Sequence, residues 1–327
     1  MATVLVTGST GFIGKTLTQA LLARGDRVRC LVRSARRLPP GLEAVRGDIT
    51  QPFSLDDALT GVDVVYHLAG ATLVRHPVDY RRVNALGTRH LAEACAAQSR
   101  PPVVVYLSSL AAVGPALPDR PRTEDDPPAP VSRYGHSKLA GERALARWSD
   151  SVPTTIIRAP SVIGPGDPNF VRLFLAARAG INGVPGSKLI RLSILHVDDL
   201  VAHLLAAAER GERLTRDQSR GVYFAALDEA PTLDELGQMA GQLMGRKVRT
   251  IGLPFWFCWA WSHGVDMFIA LTGQPRLLTS DKIREAFAGS WTCSPRKAQR
   301  QLGVTCRLGL TEAVASTFAW YRDHRWL

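Results

Sequence analysis

A doubly wound parallel α/β sheet followed by a smaller, mostly helical C-terminal domain is predicted by three observations. Short apolar runs without alternation recur between stretches of helical spacing, the first of them opens directly into a glycine-rich turn, and beyond Pro160 strand-like runs thin out while Gly, Pro and helical patterns take over. Apolar runs that do not alternate are buried on both faces, which calls for helices on each side of a parallel sheet.

In chain order, Val4-Leu5-Val6 is the first strand, and Phe12, Ile13, Leu17, Leu21 and Leu22 after the turn repeat at helical spacing. Strands follow at 28–32, 42–45 and 62–67, a helix at 78–97, a strand at 103–107, a helix at 132–148 and a strand at 154–157. Six prolines between Pro115 and Pro130, with Glu124-Asp125-Asp126 among them, mark an irregular surface loop. Later helices are expected at 233–244 and 311–321, with 196–208 contributing an element to the first domain. The division predicted is a dinucleotide-binding domain over 1–165, rejoined by 190–225, and a substrate domain over 166–327.

With 327 residues, 46% hydrophobic and 21% charged, the chain is neither disordered nor of low complexity. Its formal charge of +11 is spread along the chain rather than gathered into a block, so no nucleic-acid module is indicated. A basic surface does favour anionic cofactors, substrates or lipid headgroups. Cys30, Cys95, Cys258, Cys293 and Cys306 include no Cys-x-x-Cys, suggest neither a disulfide framework nor a zinc site, and make a reducing cytosol the expected compartment. Met1 leads into the first strand without the basic and long apolar segments of a secretory signal.

Gly8-Ser9-Thr10-Gly11-Phe12-Ile13-Gly14 lies between the first strand and the first helix. Glycine is needed there because the backbone turns sharply and approaches a pyrophosphate with no Cβ in the way, while the helix start offers free N–H groups to the anion. Strand, glycine turn and amphipathic helix together form the Rossmann dinucleotide-binding pattern. No carboxylate lies between Val28 and Leu42; Arg33, Arg36 and Arg37 stand where an acid would bind the ribose hydroxyls and exclude a 2′-phosphate. Guanidiniums pair bidentately with phosphate, which favours NADP(H), with NAD(H) as the alternative.

Tyr134-Gly135-His136-Ser137-Lys138 opens a predicted helix, and the four-residue spacing puts Tyr134 and Lys138 on one face. The helix follows the fifth strand, whose carboxyl end carries Ser108-Ser109, and open parallel sheets bind ligands outside the carboxyl ends of their strands.

With these residues the chain resembles the extended short-chain dehydrogenase/reductases, the NAD-dependent epimerase/dehydratase superfamily, over nearly its whole length. Thr7-Gly8-x-x-Gly11-Phe12-Ile13-Gly14, Ser109 and Tyr134-x-x-x-Lys138 are joined by Gly47-Asp48-Ile49 and His67-Leu68-Ala69-Gly70, and by Asn84, Arg158-Ala159-Pro160 and His196-Val197-Asp198-Asp199. The resemblance implies cofactor contacts from Gly8, Thr10, Gly11, Phe12, Ile13, Gly14, Asp48, Ile49, Leu68, Ala69, Gly70 and Pro160, alongside Arg33 and Arg37. It implies hydride transfer with Tyr134 as general acid and base, Ser109 stabilising the reacting oxygen, and Lys138 holding the nicotinamide ribose. Ser109 is preferred to Ser108 because it lies 25 residues before Tyr134. A phenol of pKa about 10 is a poor base at neutral pH, and an ammonium at Lys138 favours the phenolate. His67, His136 and His196 lack a His-x-x-x-His or carboxylate cluster, so no metal is indicated, and Asp198 and Asp199 read as helix caps.

Within the family, the stretch around Arg33, and Ser161 where many sugar-nucleotide members carry Asn, resemble the dihydroflavonol reductase and 3β-hydroxysteroid dehydrogenase-like branch. Residues 253–273 point the same way: Trp256, Trp259 and Trp261 fall within six residues, Asp266 is the only formal charge, and Ser262-His263-Gly264 interrupts the run, so it does not span a membrane. It reads as the wall of a hydrophobic pocket, a helix in a membrane interface, or an internal helix of the small domain. The leading expectation is an NADP(H)-preferring enzyme that interconverts a ketone and a secondary alcohol on a bulky hydrophobic small molecule. Peripheral membrane association through 253–273 and a homodimer are further expectations. The alternatives are a nucleotide-sugar epimerase or dehydratase with retained NAD, and a non-catalytic cofactor-binding scaffold, against which the set Ser109, Tyr134 and Lys138 speaks.

Overall fold

The computed structural model describes residues 1–34, 38–117, 120–274, 276 and 278–327. The first half runs through β1 (Thr3–Thr7), α1 (Phe12–Ala23), β2 (Arg27–Val32), β3 (Leu42–Arg46), the one-turn α2 (Asp56–Leu59) and β4 (Val64–His67). It continues through the one-turn α3 (Val78–Arg81), a π segment (Arg82–Gly87), α4 (Thr88–Ala96), β5 (Val103–Ser109), α5 (Arg133–Ala146) and β6 (Thr154–Ala159). Beyond these come β7 (Ser161–Ile163), α6 (Val171–Arg178), β8 (Ile181–Pro185), β9 (Ile194–His196), α7 (Val197–Arg210), β10 (Val222–Phe224), α8 (Leu233–Leu243) and β11 (Arg249–Leu253). The chain closes with α9 (Phe255–Thr272), α10 (Ser280–Phe287), α11 (Arg296–Leu302) and α12 (Leu310–Asp323).

Seven parallel strands stand in the order β10-β6-β5-β4-β1-β2-β3. Strand order reverses between β1 and β4, and the crevice at their carboxyl ends is where such sheets bind ligands. The unbroken run Val4-Leu5-Val6 is explained by the two-residue period of a strand: Val4 and Val6 pack with Leu17 and Leu21 of α1 and Leu200 and Leu204 of α7, while Leu5 packs on the opposite face with Leu91 of α4 and Leu145 of α5. A smaller core gathers α6, α8 and α12 around Phe174 and Tyr321. The parallel sheet with flanking helices and the smaller helical C-terminal part match the fold class expected.

Three local features depart from the sequence reading. The helix expected at 78–97 is broken by the π segment, which turns the buried Asn84 toward the loop after β4. Two short parallel pairs, β7 with β9 and β8 with β11, lie in the region read as poor in strands; three to five residues are too few to carry a period. Asp199 accepts from the Arg307 N–H at 2.8 Å instead of capping its own helix, a task that falls to His196.

Candidate active site

The glycine turn between β1 and α1 forms a cradle that fits a dinucleotide. Gly8 has a φ of +76°, and a Cβ there would stand 2.7 Å from the Ala69 nitrogen, while a Cβ on Gly14 would run into the Gly8 carbonyl oxygen. Gly11 begins α1 without any side-chain cap, so the first N–H groups of the helix remain open to an anion. Two cavities meet at this turn. One, of about 670 Å3, takes in Gly8, Gly11, Phe12, Ile13 and Gly14 on one side and Ser109, Tyr134, Lys138 and Pro160 on the other. The second, of about 700 Å3, takes in Thr10, Arg33, Asp48, Ile49 and Ala69. Leu68 and Gly70 border both. Arg37 lies outside the described residues, and Arg36 with it.

The end of the second cavity carries charges of both signs. Arg33 is exposed there, and Arg75, Arg82, Asp48 and Asp79 stand in the same wall. Asp48 is held in place by accepting from the Thr50 N–H at 2.8 Å and the Thr50 hydroxyl at 2.9 Å through one oxygen. A guanidinium can stack on a flat ring as readily as it can pair with phosphate, so Arg33 by itself does not select a 2′-phosphate.

Beneath the junction runs a buried chain of hydrogen bonds. The Ala69 N–H donates to Thr7 Oγ1, which pairs with His67 Nδ1 at 2.7 Å; His67 Nε2 pairs with Thr88 Oγ1 at 2.9 Å, and that hydroxyl donates to the Asn84 carbonyl. With Thr7 and Thr88 each committed in this direction, His67 is the neutral tautomer that accepts at Nδ1 and donates at Nε2. Burial, aided by the Lys138 charge, pushes its pKa down to about 3. Asn84 extends the chain by accepting from the Ala71 N–H and donating to the Ala71 carbonyl and to Ser137 Oγ, whose hydroxyl donates to the Tyr134 carbonyl. The loop after β4 is thereby tied to α5.

α5 begins at a Ser132 cap and carries Tyr134 and Lys138 to the cavity. Lys138 is buried, donates to the Leu107 carbonyl at 2.7 Å and lies 4.2 Å from the centre of the Tyr106 ring. Burial lowers its pKa to about 7, against the raising effect of Glu142. Tyr134 is pushed up to about 12 by burial, the Ser109 hydroxyl lowering it and Glu285 raising it further. The phenol of the free chain is thus a weaker acid than the sequence suggests. The two serines at the end of β5 both line the cavity but differ in their commitments: Ser108 donates to the buried Glu142 carboxylate at 2.5 Å, whereas Ser109 Oγ accepts from the Ala111 N–H. Glu142 is in turn clamped by two bonds from Arg158, at 3.0 and 2.7 Å.

Sequence reading missed α10. Asp281 accepts from the backbone N–H groups of Arg133 (2.8 Å) and Tyr134 (3.2 Å), Glu285 accepts from Ser132 Oγ at 2.5 Å, and the Lys282 ammonium lies 4.9 Å from the centre of the Tyr134 ring. Lys282 and Glu285 also line the cavity, with Asn169, Ser193 and Trp291. No short-range signal marks these residues, because the contacts join positions nearly 150 apart; Arg133 and Asp281 are separated by 148. The aromatic stretch 253–273 contributes nothing to either cavity wall, so it does not wall the candidate site. The substrate side presents hydroxyls, an amide and a Lys282–Glu285 ion pair beside apolar Val162, Leu192 and Trp291.

Comparison with known proteins adds three findings. Residues 4–219 match the family described as NAD dependent epimerase/dehydratase. In sequence, the chain is 34% identical to a ceramide reductase of Caulobacter vibrioides over 99% of this chain and 96% of that protein. In structure, it is similar to MoeE5 in complex with UDP-glucuronic acid and NAD, with a TM-score of 0.78 and 28% identity over 98% of this chain and 99% of the other, and to MoeE5 with UDP-glucose and NAD at 29% identity. A UDP-glucose 4-epimerase of Thermotoga maritima, 21% identical with a TM-score of 0.79, shares the fold. The MoeE5 likeness overturns three expectations. The bound nucleotide there is NAD, against the preference for NADP(H) read from the arginines after β2. The other bound ligands there are UDP-sugars, against both the hydrophobic small-molecule partner and the ketone–alcohol interconversion on a bulky apolar substrate.

Proposed function

Because the chain belongs to the NAD dependent epimerase/dehydratase family, we propose that it is an NAD-dependent enzyme acting on a nucleotide sugar, by epimerisation or dehydration. The observation that carries this reading is the likeness to MoeE5 along the whole of both chains, in structures that hold NAD and a UDP-sugar together. Ser161, Ser193, Asn169 and the Lys282–Glu285 pair on the substrate side offer hydrogen bonds that a sugar would use. On this reading residues 1–165 with 190–225 hold the cofactor, and 166–327 face the sugar.

NAD, when bound, supplies a hydride acceptor that later returns the hydride. Tyr134 takes the proton from the sugar hydroxyl as the carbon is oxidised and gives it back on reduction. Ser109 holds the reacting oxygen in place by hydrogen bonding. Lys138, one helical turn along, favours the phenolate while it is protonated, and Glu142 behind it helps to keep that proton. The glycine turn and the open start of α1 receive the pyrophosphate, with Asp48, Ile49 and Arg33 at the adenosine end and Leu68, Ala69, Gly70 and Pro160 along the way.

A second reading, on the ketoreductase and hydroxysteroid-dehydrogenase-like side of the family, is favoured by the 34% identity to the ceramide reductase. One experiment separates the two. The purified protein is passed through gel filtration, its bound nucleotide is identified, and UDP-glucose and UDP-glucuronic acid are titrated against it. Retained NAD with saturable UDP-sugar binding supports the nucleotide-sugar reading. Protein that binds neither UDP-sugar and consumes added reduced nucleotide only when a ketone is supplied moves the chain to the reductase side.

A further inference from the structure

α9 is built inside out. Among its 18 residues the buried ones are Cys258, Ser262 and Ile269, whereas Trp256 is 70% exposed, Trp259 50% and Trp261 59%. Its one charged residue turns inward: the Asp266 carboxylate accepts from the Ser280 N–H at the start of α10. What faces outward is therefore an aromatic surface without a formal charge. Contiguous apolar surface of this kind is a mark of a docking face, because water gains nothing from it.

We propose that α9 is an interfacial helix that lays its tryptophans into the headgroup region of a bilayer carrying anionic lipid. Indole rings, flat and apolar with one polar N–H, concentrate at the boundary between headgroups and acyl chains. Charge complementarity selects lipid as the occupant. At the C-terminal end of α9, the Arg276 guanidinium lies 5.0 Å from the centre of the Phe268 ring and Arg75 packs against the closing Gly273. At the other end, the strand that leads into the helix begins with the exposed Arg249. Asp266 is the only acid between residues 249 and 280, so Arg249 and Arg276 face no competing carboxylate from their own segment. Aromatic residues flanked by arginines suit anionic headgroups. In a symmetric contact with a second copy, the same arginines would be brought toward their own kind. Among the described residues no helix is long and apolar enough to cross a membrane, so α9 lies along the surface. Through α10, whose Lys282 and Glu285 line the cavity, the docked face adjoins the substrate side.

The inference does not depend on the nucleotide-sugar reading. Its test is co-sedimentation of the full chain with vesicles of phosphatidylcholine alone and of phosphatidylcholine with about one-third phosphatidylglycerol, with tryptophan emission read in parallel. The expected result is binding at least about tenfold tighter to the anionic vesicles with a blue-shifted emission, a comparable loss on Trp256→Gln/Trp259→Gln/Trp261→Gln, and a smaller loss on Arg276→Gln. NAD binding retained by these variants reports that the sheet domain is intact. Absence of binding to either vesicle overturns the proposal, as does vesicle binding that the triple variant leaves unchanged. So does a wild-type dimer that binds no vesicle and becomes monomeric in the triple variant, which assigns the face to a second copy.

Discussion

α5 and α9 invert one another. α5 is rich in polar and charged residues, yet nine of its fourteen residues are buried, among them Lys138, Glu142 and Ser137. α9 is apolar throughout apart from Asp266 and a few small polar residues, yet three of its eighteen are buried. Burial in α5 is bearable because each ionisable group has a partner: Glu142 has Arg158 and Ser108, and Lys138 has the Leu107 carbonyl and the Tyr106 ring. Composition tells how apolar a helix is; the chain around it decides which way that character faces.

The contrast can be broken most severely at Tyr134. Tyr134→Phe is expected to lower turnover by about 10²–10⁴-fold with NAD affinity nearly unchanged, as read by steady-state kinetics beside nucleotide titration. Trp259→Gln on α9 is expected to leave both unchanged for a soluble substrate. Turnover surviving in the phenylalanine variant would remove the mechanism.

Next in size is the buried pair. Glu142→Ala strands Arg158 without its carboxylate and is expected to cost about 3–5 kcal/mol in denaturant unfolding. The corresponding deletion on α9, Asp266→Ala, removes only the acceptor of the Ser280 N–H while Thr279 still caps α10, and is expected to cost about 0.5–1.5 kcal/mol. Near-equal losses would mean that Arg158 finds another partner.

Acid separates the regions in another way. Burial holds the His67 pKa at about 3, well below its unfolded value of about 6.5, so between these values the unfolded chain binds the extra proton. Stability is therefore lost as pH falls through that window, and the cost is fully present below about 3. Thermal melts of His67→Gln against the parent across pH 7 to 4 are expected to show a shallower decline in the variant. Parallel curves would mean that other groups carry the acid sensitivity.

The smallest effect is expected at the joint between the regions. Asp281→Ala should cost about 0.5–2 kcal/mol by uncapping Arg133 and Tyr134. It should also lower kcat more than it raises KM, because the tyrosine loses its seat while the rest of the cavity stays. A change in KM alone would confine Asp281 to substrate binding.

What the sequence made legible is what neighbouring residues decide. The glycine turn, the first strand and the Tyr134–Lys138 spacing depend on short stretches of backbone, and the structure brings them, with Ser109, to one cavity. The π segment was hidden because an extra residue in a turn leaves the apolar period almost unchanged across one helix. Asp281 and Glu285 were hidden because capping across the molecule has no local spacing. The NADP(H) preference misread Arg33, since a guanidinium's charge was visible in the sequence but not whether it pairs with a phosphate or stacks on a ring. Of the three readings open for 253–273, the pocket wall is the one that the cavity lining does not bear out, since its residues lie outside the candidate site.

The carboxylates Asp266 and Asp281 form a relay, one holding the start of α10 and the other the start of α5. Helix starts joined in this way share their opening fluctuations, because unzipping α10 releases the Tyr134 amide as well. The tyrosine's backbone should then exchange its amide hydrogen with solvent at the pace of α10, and any contact that steadies α9 would slow that exchange at a residue it never touches.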